Sequence, residues 1–449
     1  MTVETVLAWF DRHPDITGFQ AAIVDHNGEL RGKRLPLDQL SKVLSGGLRM
    51  PFSACNVDIW GQDIADSPWV FETGDGDGKC EWTGREPALI TWNHENTALI
   101  PLQMVHEDNR PFYGDPRQLL SQIVQRFHDR GWYPVVATEL EFYLTKRDAF
   151  PLTPPHSPVT GAALQAESVY SLTELDHFDA FLTEVYAACQ AQGVPADSAI
   201  VESGAGQFEI NLLHSDDPLK AADDALLFKR LVKRIAQAHG MVATFMAKPY
   251  AERSGSGMHV HASLQDAHGQ NLFDDGTDQG SALLGQAIAG ILATLNDSAL
   301  MLAPHRNSWR RLAPGSHAPT RICWGYENRT AAVRVPAGTA AARRLEHRVA
   351  GADANPWLVL SAVLSGMWYG LQSQLDLPPP LTGNAYESEH PALVNDWTTA
   401  IQRFASDNTL TTVLPADFIQ MYSACKRQEY QVFEANVSAF EFDTYLETV

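Results

Sequence analysis

Short runs of alternating apolar and polar residues near the start of the chain predict β-strands. Residues 16–36 contain two such runs on either side of the tetrapeptide DHNG, and Asn-Gly between apolar runs is a strong signal for a β-hairpin. Another strand is predicted at residues 97–103, TALIPLQ. Residues 106–117 are polar and contain two prolines, so we place a domain boundary there. We predict an N-terminal domain at 1–112 and a larger domain at 113–449.

The larger domain shows both strand and helix periodicities. Strands are predicted where apolar residues alternate with polar ones, and helices where apolar residues recur every three or four positions. The predicted segments are helix 119–131, strand 133–144, helix 177–193, strand 206–213, helix 224–240 and helix 281–295. This irregular order predicts a mixed α+β fold with antiparallel strands, since a Gly-rich phosphate fingerprint after a strand is also missing.

Length and cysteine content narrow the class of protein. A chain of 449 residues can form a large and a smaller domain around cores that need no disulfides. The five cysteines are scattered and form no CxxC pair, so we expect reduced thiols and a cytoplasmic protein. The first residues lack a basic segment followed by an apolar core, and no uninterrupted run of about 18 apolar residues occurs. We expect neither a signal peptide nor a membrane partner.

The charge of the chain is strongly acidic. Thirty-three basic residues against 54 acidic ones give a formal net charge of −21, which would repel nucleic acid. We therefore expect no nucleic-acid partner. A cationic partner would be favoured, although a general contribution to solubility explains the same charge equally well.

Two carboxylates stand two residues apart in the predicted strand VVATELEFYL. Glu139 and Glu141 would project from the same face of that strand. Like charges on one buried face raise each other's pKa unless cations lie between them, so the pair calls for a metal ion or for arginine. The alternative is a solvated face at the edge of an antiparallel sheet, and the pair alone does not decide between the two.

The same pattern recurs in other segments. Glu202 precedes a Gly-rich turn, Glu209 lies in the next predicted strand, and Glu346 follows later. In GSGMHVHAS the residues His259, His261 and Ser263 alternate along one further strand, so they share a face. Glutamates combined with an imidazole suit Mg²⁺ or Mn²⁺ better than a thiolate-bound zinc.

Several arginines lie in otherwise apolar segments. Arg311 belongs to NSWRRLAPG, Arg329 and Arg334 to YENRTAAVRVPAG, and Arg348 follows Glu346 by two residues. Isolated arginines are usually solvated. Where several arginines lie close to metal-binding carboxylates, however, their guanidinium groups suit the recognition of phosphates and of a carboxylate substrate.

These segments resemble the signature blocks of the glutamine synthetase superfamily, in the same order and over nearly the whole chain. They are ELEFYL, ESGAGQFEIN, FMAKPYAERSGSGMHVHASL, NSWRRLAPG, ENRTAAVRVP and RRLEHRVAGADANP. The resemblance implies a β-grasp-like N-terminal domain and a catalytic domain whose curved antiparallel sheet forms a funnel flanked by helices. It also implies a ring-shaped homo-oligomer, with a dodecamer as the expected form and active sites between adjacent subunits.

The chemistry implied by the resemblance is ATP-dependent. The γ-carboxylate of L-glutamate is phosphorylated, and an amine then displaces the phosphate, with two or more Mg²⁺ or Mn²⁺ ions per site. The metal ligands implied are Glu141, Glu202 and Glu209 near glutamate, and Glu139, His259 and Glu346 near the ATP phosphates.

The remaining roles implied by the resemblance concern the substrates. The residues expected at glutamate are Gly255, Arg311 and Arg348; at the transferring phosphoryl group, Arg329 and Arg334; and at the nucleotide, His261, Ser263 and Arg334. Phosphoryl transfer agrees with such a set, because it needs positioning and charge neutralisation more than covalent catalysis.

Two departures from the family pattern bear on the amine. Ammonia-using members carry acidic residues where this chain has Ser53 and His317. A larger amine could instead use apolar contacts and a neutral base, and His317 is a candidate for that base, although simple packing at the entrance is about as plausible.

We therefore predict a glutamate–amine ligase that makes a γ-glutamylamide from a polyamine or small monoamine, similar to the γ-glutamylputrescine and γ-glutamylpolyamine synthetases. The alternatives are a glutamine synthetase using ammonia and a non-catalytic regulatory homologue.

Overall fold

Two β-sheets organise the chain. The computed structural model of the protein describes residues 1–93, 95–147, 151–164, 168–406 and 409–449. The strands of the first sheet are β1 Gly18–Val24, β2 Leu30–Pro36, β3 Leu48–Pro51, β4 Asp77–Trp82, β5 Ala88–Ile90 and β6 Thr97–Val105. Their order is β2-β1-β6-β4-β3, with β5 also on β6. The predicted hairpin is confirmed: β1 and β2 pair antiparallel, and Gly28 in their turn has a φ of +78°, which glycine adopts readily.

The second sheet is larger and curls into a half-barrel. Its strands are β7 Tyr133–Lys146, β8 Ala196–Val201, β9 Gln207–Leu212, β10 Met241–Thr244, β11 Met258–Gln265, β12 Trp324–Tyr326, β13 Val333–Val335 and β14 Leu345–His347. Their order is β12-β13-β14-β11-β7-β9-β8, with β10 also on β7. The described pairs of this sheet are antiparallel as predicted, with the exception of β12 and β13. These two strands are connected by residues 327–332 and run parallel.

Helices flank the sheets, so the predicted α+β fold is confirmed. The described helices are α1 Val3–Asp11, α2 Leu40–Leu44, α3 Pro116–His128, α4 Leu172–His177, α5 Asp179–Ala191, α6 Pro218–Ala238, α7 Ala282–Leu302, α8 Pro356–Ser373, α9 Trp397–Ala405, α10 Ala416–Ala435 and α11 Ala439–Tyr445. The helix predicted at 177–193 begins only at Asp179. Phe178 is buried and leaves helical geometry, which separates α4 from α5.

Helix α7 shows why a core helix can look like a membrane span. Among the helices described, it is long and apolar enough to cross a membrane, but 72% of its apolar window is buried inside the protein. It packs against α8 so closely that a Cβ on Gly290 would lie 2.1 Å from the Gly366 carbonyl oxygen. The apolar composition of α7 is therefore explained by its place in the core.

Buried ion pairs join the first sheet to the helices of the second. Arg117 of α3 donates from Nη1 to Asp223 Oδ2 of α6 at 2.7 Å, and Arg85, from the loop after β4, pairs with Asp223 and Asp224. All four side chains are at most 10% exposed. The domain boundary at residue 112 stays a prediction, but these contacts tie the two predicted units together. The five cysteines are buried and unpaired, as predicted.

Candidate active site

Strand β7 places its two glutamates next to functional groups of both neighbouring strands. Glu141 lies opposite Glu209 of β9, and Glu139 lies opposite His259 of β11. Because side chains alternate along a strand, Glu139 and Glu141 share one face of the sheet with these partners. The register of three strands thus assembles three carboxylates and an imidazole from segments far apart in sequence.

The same face continues across the next two strands. His261 of β11 lies opposite Glu346 of β14, which in turn lies opposite Arg334 of β13. Arg334 Nη1 donates to Glu346 Oε2 at 2.7 Å, and Arg348 pairs with the other carboxylate oxygen of Glu346. Both sides of this carboxylate are therefore held by guanidinium groups.

The carboxylate of Glu139 is shared by both histidines. His261 Nε2 lies 2.7 Å from Glu139 Oε1, and His259 Nδ1 lies 3.2 Å from Glu139 Oε2. His259 is also 4.0 Å from oxygens of Glu141 and Glu346. Within the described part of the chain, two groups have donor atoms close enough for one metal ion: Glu139 with His261 and Glu346, and Glu139 with Glu209 and His259. The first group brings in His261, which we had expected only at the nucleotide.

Three carboxylates at one end of this face lack sufficient neutralising charge. Burial, together with the charge of Glu202, raises the pKa of Glu141 to about 7. Burial, together with the charges of Glu141 and Glu139, raises the pKa of Glu209 to about 10. The pKa of Glu202 is also raised by burial, although Arg329 and Arg348 oppose that rise. Clustered buried carboxylates of this kind are stable as anions only beside a cation, and their oxygens are ligands that Mg²⁺ and Mn²⁺ prefer.

The other end of the face is already neutralised by the protein. Burial would raise the pKa of Glu346, but the charge of Arg348 and the two histidines outweigh it and lower the pKa to about 2. Burial would also raise the pKa of Glu139. The hydrogen bonds from His259 and His261 outweigh this effect, so the pKa of Glu139 lies well below its usual value. Burial and the nearby Arg348 lower the pKa of His259 to about 4, so its imidazole is neutral at pH 7, the form that binds metals.

A glycine loop brings the main chain against Arg311. A Cβ on Gly257 would lie 2.4 Å from Arg311 Nη2, and one on Gly255 would lie 2.5 Å from the Ala247 carbonyl oxygen. Gly257 N donates to Glu141 Oε2 at 2.7 Å, so the same loop touches the carboxylate cluster. Arg311 is 4% exposed and donates from Nη1 to the Val349 carbonyl at 2.8 Å. Only glycine permits this close approach.

Gln207 supports the site although we assigned it no role from the sequence. Its Oε1 accepts from Gly204 N at 3.0 Å, and its Nε2 donates to the Gly255 carbonyl at 3.0 Å. It therefore links the turn after Glu202 to the glycine loop at Arg311. The sequence signal was its place at the start of β9, two residues before Glu209.

A cleft of about 430 Å³ opens beside Glu139. His261 and Ser263, which we expected at the nucleotide, line it together with Asn271, Arg343 and Arg344, which we had not singled out. Arg334 was also expected at the nucleotide. It is bonded to Glu346 and is not among the residues that line this cleft, and its role stays a prediction.

The remaining predicted residues lie on loops around the sheet. Arg329 is exposed, and its carbonyl accepts from Arg348 Nε at 3.2 Å. His317 is also exposed, with a φ of +62° in the loop after Arg311. No contact that we describe brings the His317 side chain to the carboxylates, so its role stays a prediction.

Ser53 is not far from negative charge, although it replaces an acidic residue. Its hydroxyl donates to Asp75 Oδ2 at 2.9 Å, and its backbone N–H donates to Asp75 Oδ1 at 3.2 Å. Asp75 comes from the loop before β4, 22 residues away, so sequence position alone could not reveal it. The loss of the acidic residue at position 53 is thus a weaker argument against ammonia than the sequence indicated.

Comparison with known proteins agrees with this geometry. Residues 113–445 match the family described as glutamine synthetase, catalytic domain. The γ-glutamylputrescine synthetase PuuA of Escherichia coli K12 is 39% identical over 99% of this chain and 94% of its own length. A glutamate–isopropylamine ligase of Pseudomonas sp. is 30% identical, covering 98% and 97%. A solved GmaS/ADP complex superposes with a TM-score of 0.83 at 26% identity, covering 98% of this chain and 99% of that one.

Proposed function

The chain belongs to the glutamine synthetase family of ligases, and from this premise we propose that it joins the γ-carboxylate of L-glutamate to an amine at the expense of ATP. The observation that carries the proposal is the single sheet face on which Glu139, Glu141, Glu209, His259 and Glu346 meet. Its uncompensated carboxylates support metal binding at one end. Its guanidinium groups support phosphate binding at the other.

The proposed reaction has two steps. An oxygen of the glutamate γ-carboxylate attacks the γ-phosphorus of ATP, and ADP leaves, which gives γ-glutamyl phosphate. The amine nitrogen then attacks the carbonyl carbon of this acyl phosphate, the C–O bond to phosphate breaks, and the nitrogen loses a proton. Bound Mg²⁺ or Mn²⁺ would neutralise the phosphate oxygens and those of the acyl phosphate.

The protein side chains would supply position and charge. We propose Glu141, Glu202 and Glu209 as ligands of one metal ion and Glu139, His259 and Glu346 as ligands of another. Arg311, Arg348 and the loop at Gly255 would hold glutamate; Arg311 has further N–H groups beyond those that it donates to the Val349 and Arg348 carbonyls. Arg329, which is exposed at the rim, and Arg334 would contact the transferring phosphoryl group. His261 and Ser263 would face the nucleotide in the cleft.

We propose a homo-oligomer whose subunits complete one another's sites. Exposed apolar side chains support association: Phe440 and Leu446 of the C-terminal segment are 78% and 73% exposed, and Trp60 is 46% exposed. Surfaces of this kind are typical of protein interfaces. The number of subunits stays a prediction.

The amine is proposed to be a polyamine or small monoamine. Support comes from relatives named for putrescine and isopropylamine, and from His317 in place of an acidic residue. The Ser53–Asp75 contact favours the alternative, ammonia, because it returns a carboxylate to that position.

Steady-state ADP release with glutamate and a panel of amines tests this proposal. The panel contains putrescine, spermidine, isopropylamine, ethanolamine and ammonium chloride, with a reaction lacking glutamate as the control. We expect kcat/KM for at least one organic amine to exceed that for ammonia by at least about tenfold, a difference of about 1.4 kcal/mol in transition-state binding. A preference for ammonia would identify a glutamine synthetase, and no glutamate-dependent ADP release with any amine would support a non-catalytic homologue.

Metal binding should strengthen with rising pH. The unfolded pKa of a glutamate is near 4.5, and Glu141 and Glu209 reach about 7 and 10 in the fold, so their contribution to stability is present below about 4.5 and lost as pH rises through these values. A bound metal ion takes the place of these protons. Its affinity should therefore rise about tenfold per pH unit for each proton displaced.

The measurement is the increase in unfolding temperature that about 10 mM MgCl₂ causes at pH 6.5 and at pH 8.0. This concentration is chosen to exceed an ordinary Kd for Mg²⁺. The increase should be several degrees larger at pH 8.0 and should depend less on pH in Glu209→Gln. Burial lowers the pKa of Lys229 to about 7, so this lysine titrates in the same range. Its titration is unaffected by the metal, so its contribution cancels when the unfolding temperature without Mg²⁺ is subtracted from that with Mg²⁺. Equal increases at both pH values would contradict the assignment.

A further inference from the structure

Strand β7 carries a tyrosine on the same face as the two glutamates of the site. Side chains at alternate positions share a face, so Tyr143 follows Glu139 and Glu141 in one row. Its ring contacts the Tyr250 ring edge to face, with 5.2 Å between the centroids. Its hydroxyl donates to the Ser254 carbonyl at 2.8 Å. The row therefore continues from the carboxylates to the segment that precedes the glycine loop.

An arginine of that segment lies on Tyr250. The guanidinium carbon of Arg253 is 4.5 Å from the centroid of the Tyr250 ring, a distance at which an aromatic face attracts a cation. Burial raises the pKa of Tyr143 and the charge of Arg253 opposes this rise, so the guanidinium group is also close to Tyr143. The charges of Glu141 and Glu202 act on the same tyrosine. Arg253 is thus a cation near the end of the site where carboxylates predominate.

The guanidinium group of Arg253 has donors that the protein does not use. Its Nη1 is buried and donates no hydrogen bond to any residue that the structure describes. Buried nitrogens are normally paired, so such a group calls for a ligand or an ordered water. Arg311, in contrast, donates to the Val349 and Arg348 carbonyls, and Arg348 pairs with Glu346. The donors of Arg253 are available to a substrate.

The position of Arg253 suits one end of L-glutamate. The γ-carboxylate must lie at the metal ligands to be phosphorylated, and four C–C bonds place the α-carboxylate about 5 Å from it. One step along the row, from Glu141 to Tyr143, is about 7 Å. The α-carboxylate can therefore reach the part of the row beside which Arg253 lies. An anion there is close to Glu141 and Glu202 and needs a cation of its own.

We propose that Arg253 is a specificity-determining residue that binds the α-carboxylate of L-glutamate, with Tyr250 orienting its guanidinium plane. This inference rests on the proposed function and deepens it. The planar fork of an arginine matches a carboxylate and donates two parallel hydrogen bonds to it. A site with such a donor rejects analogues that lack the accepting group, because the donor is then left unpaired.

Hydrogen bonds fix the segment that carries Arg253. Lys248 N donates to Asn307 Oδ1 at 2.9 Å, and Asn307 Nδ2 donates to the Lys248 carbonyl at 2.9 Å. The Lys248 ammonium group donates to the Arg253 carbonyl. On the other side, Gln207 Nε2 donates to the Gly255 carbonyl at 3.0 Å. The segment is anchored before and after Arg253, which lowers the entropy lost when the arginine binds a ligand.

The test compares L-glutamate with its α-amide by isothermal titration calorimetry of the full-length protein in MgCl₂ and ADP. The α-amide keeps the size of glutamate and its γ-carboxylate but lacks the α-charge. We expect the wild type to bind glutamate at least about 30-fold more tightly than the α-amide. Arg253→Met should raise the Kd for glutamate about 30-fold and that for the α-amide less than about threefold. Arg253→Lys should recover part of the loss.

A control and a double-mutant cycle make the test specific. Arg306→Met removes an exposed arginine that pairs with Glu434 and should leave both Kd values unchanged. Tyr250→Leu removes the aromatic face and should raise the Kd for glutamate about threefold, an effect that should vanish in an Arg253→Met background. An effect of Tyr250→Leu that is as large in that background would contradict the link between the two residues.

Three results would overturn the role of Arg253. They are equal weakening of both ligands in Arg253→Met, which indicates a structural role, an unchanged Kd for glutamate in that variant, and a wild type without preference for glutamate over its α-amide. A wild type that binds no glutamate, or that releases no ADP with glutamate and any amine, would instead refute the proposed function. The two failures are therefore distinguishable.

Discussion

Glu139→Gln is expected to lower kcat for glutamate-dependent ATP consumption by about 10³-fold. Glu139 belongs to both candidate metal groups and contacts both histidines, so no neighbouring carboxylate can replace its charge. The amide keeps the size of the side chain and one accepting oxygen for His261 Nε2. The loss should therefore come from the missing charge rather than from unfolding, and steady-state ADP release measures it.

A matched control is Glu184→Gln on helix α5. Glu184 is 59% exposed and pairs with His239 away from the carboxylate cluster, so kcat should stay within about twofold of the wild type. If Glu139→Gln retained more than a tenth of wild-type kcat while folding normally, Glu139 could not be a metal ligand of the reaction.

Arg329→Met is expected to lower kcat by about 10³-fold, the lower end of the effect of an arginine that stabilises a transferring phosphoryl group. Arg329 is exposed at the rim, whereas Arg334 and Arg348 are bonded to Glu346. Its side chain is thus the one that can move toward phosphate without unpairing a buried carboxylate. The KM for glutamate and the affinity for Mn²⁺ should change little, because the interaction is made in the transition state.

Two further variants make this test specific. Arg329→Lys should recover only part of the activity, since lysine keeps the charge but not the planar donor pair. Arg306→Met removes another exposed arginine, which pairs with Glu434, and should have no effect on kcat. A large rise in KM for glutamate with normal kcat in Arg329→Met would place this arginine at substrate binding instead.

Much of the sheet that carries the site could be predicted from the sequence. The alternation in β7 and β11 put Glu139 and Glu141 on one face and His259 and His261 on one face. Because β7, β9 and β11 are neighbours, these faces become one surface. The hairpin at residues 16–36 was also readable, since its Asn-Gly turn has a specific backbone requirement.

Other features had no local signal. Helix α8 is buried nearly all round, so its apolar residues show no helical period, and it was not predicted. The short strands β12 and β13 depend on pairing with each other and with β14 rather than on their own composition. The Ser53–Asp75 contact joins two loops, and only the fold brings their side chains together.

Arg344 lies between these cases. Its spacing from Glu346 follows the same two-residue alternation that identified the glutamates, although we did not single it out from the sequence. Its contact with His261, however, crosses 83 positions and depends on the register of β11 with β14. Alternation predicts the face of a side chain, but the partner on that face follows from tertiary structure.

The proposed reaction depends on phosphorylation of the glutamate γ-carboxylate before an amine attacks it. The most direct measurement uses glutamate labelled with ¹⁸O in both γ-oxygens, ATP and an accepted amine, with mass spectrometry of the phosphate released. Because the bridging oxygen of γ-glutamyl phosphate leaves with the phosphate, we expect one ¹⁸O atom in each phosphate and one in the amide product. Phosphate without ¹⁸O, released at the same rate, would contradict it.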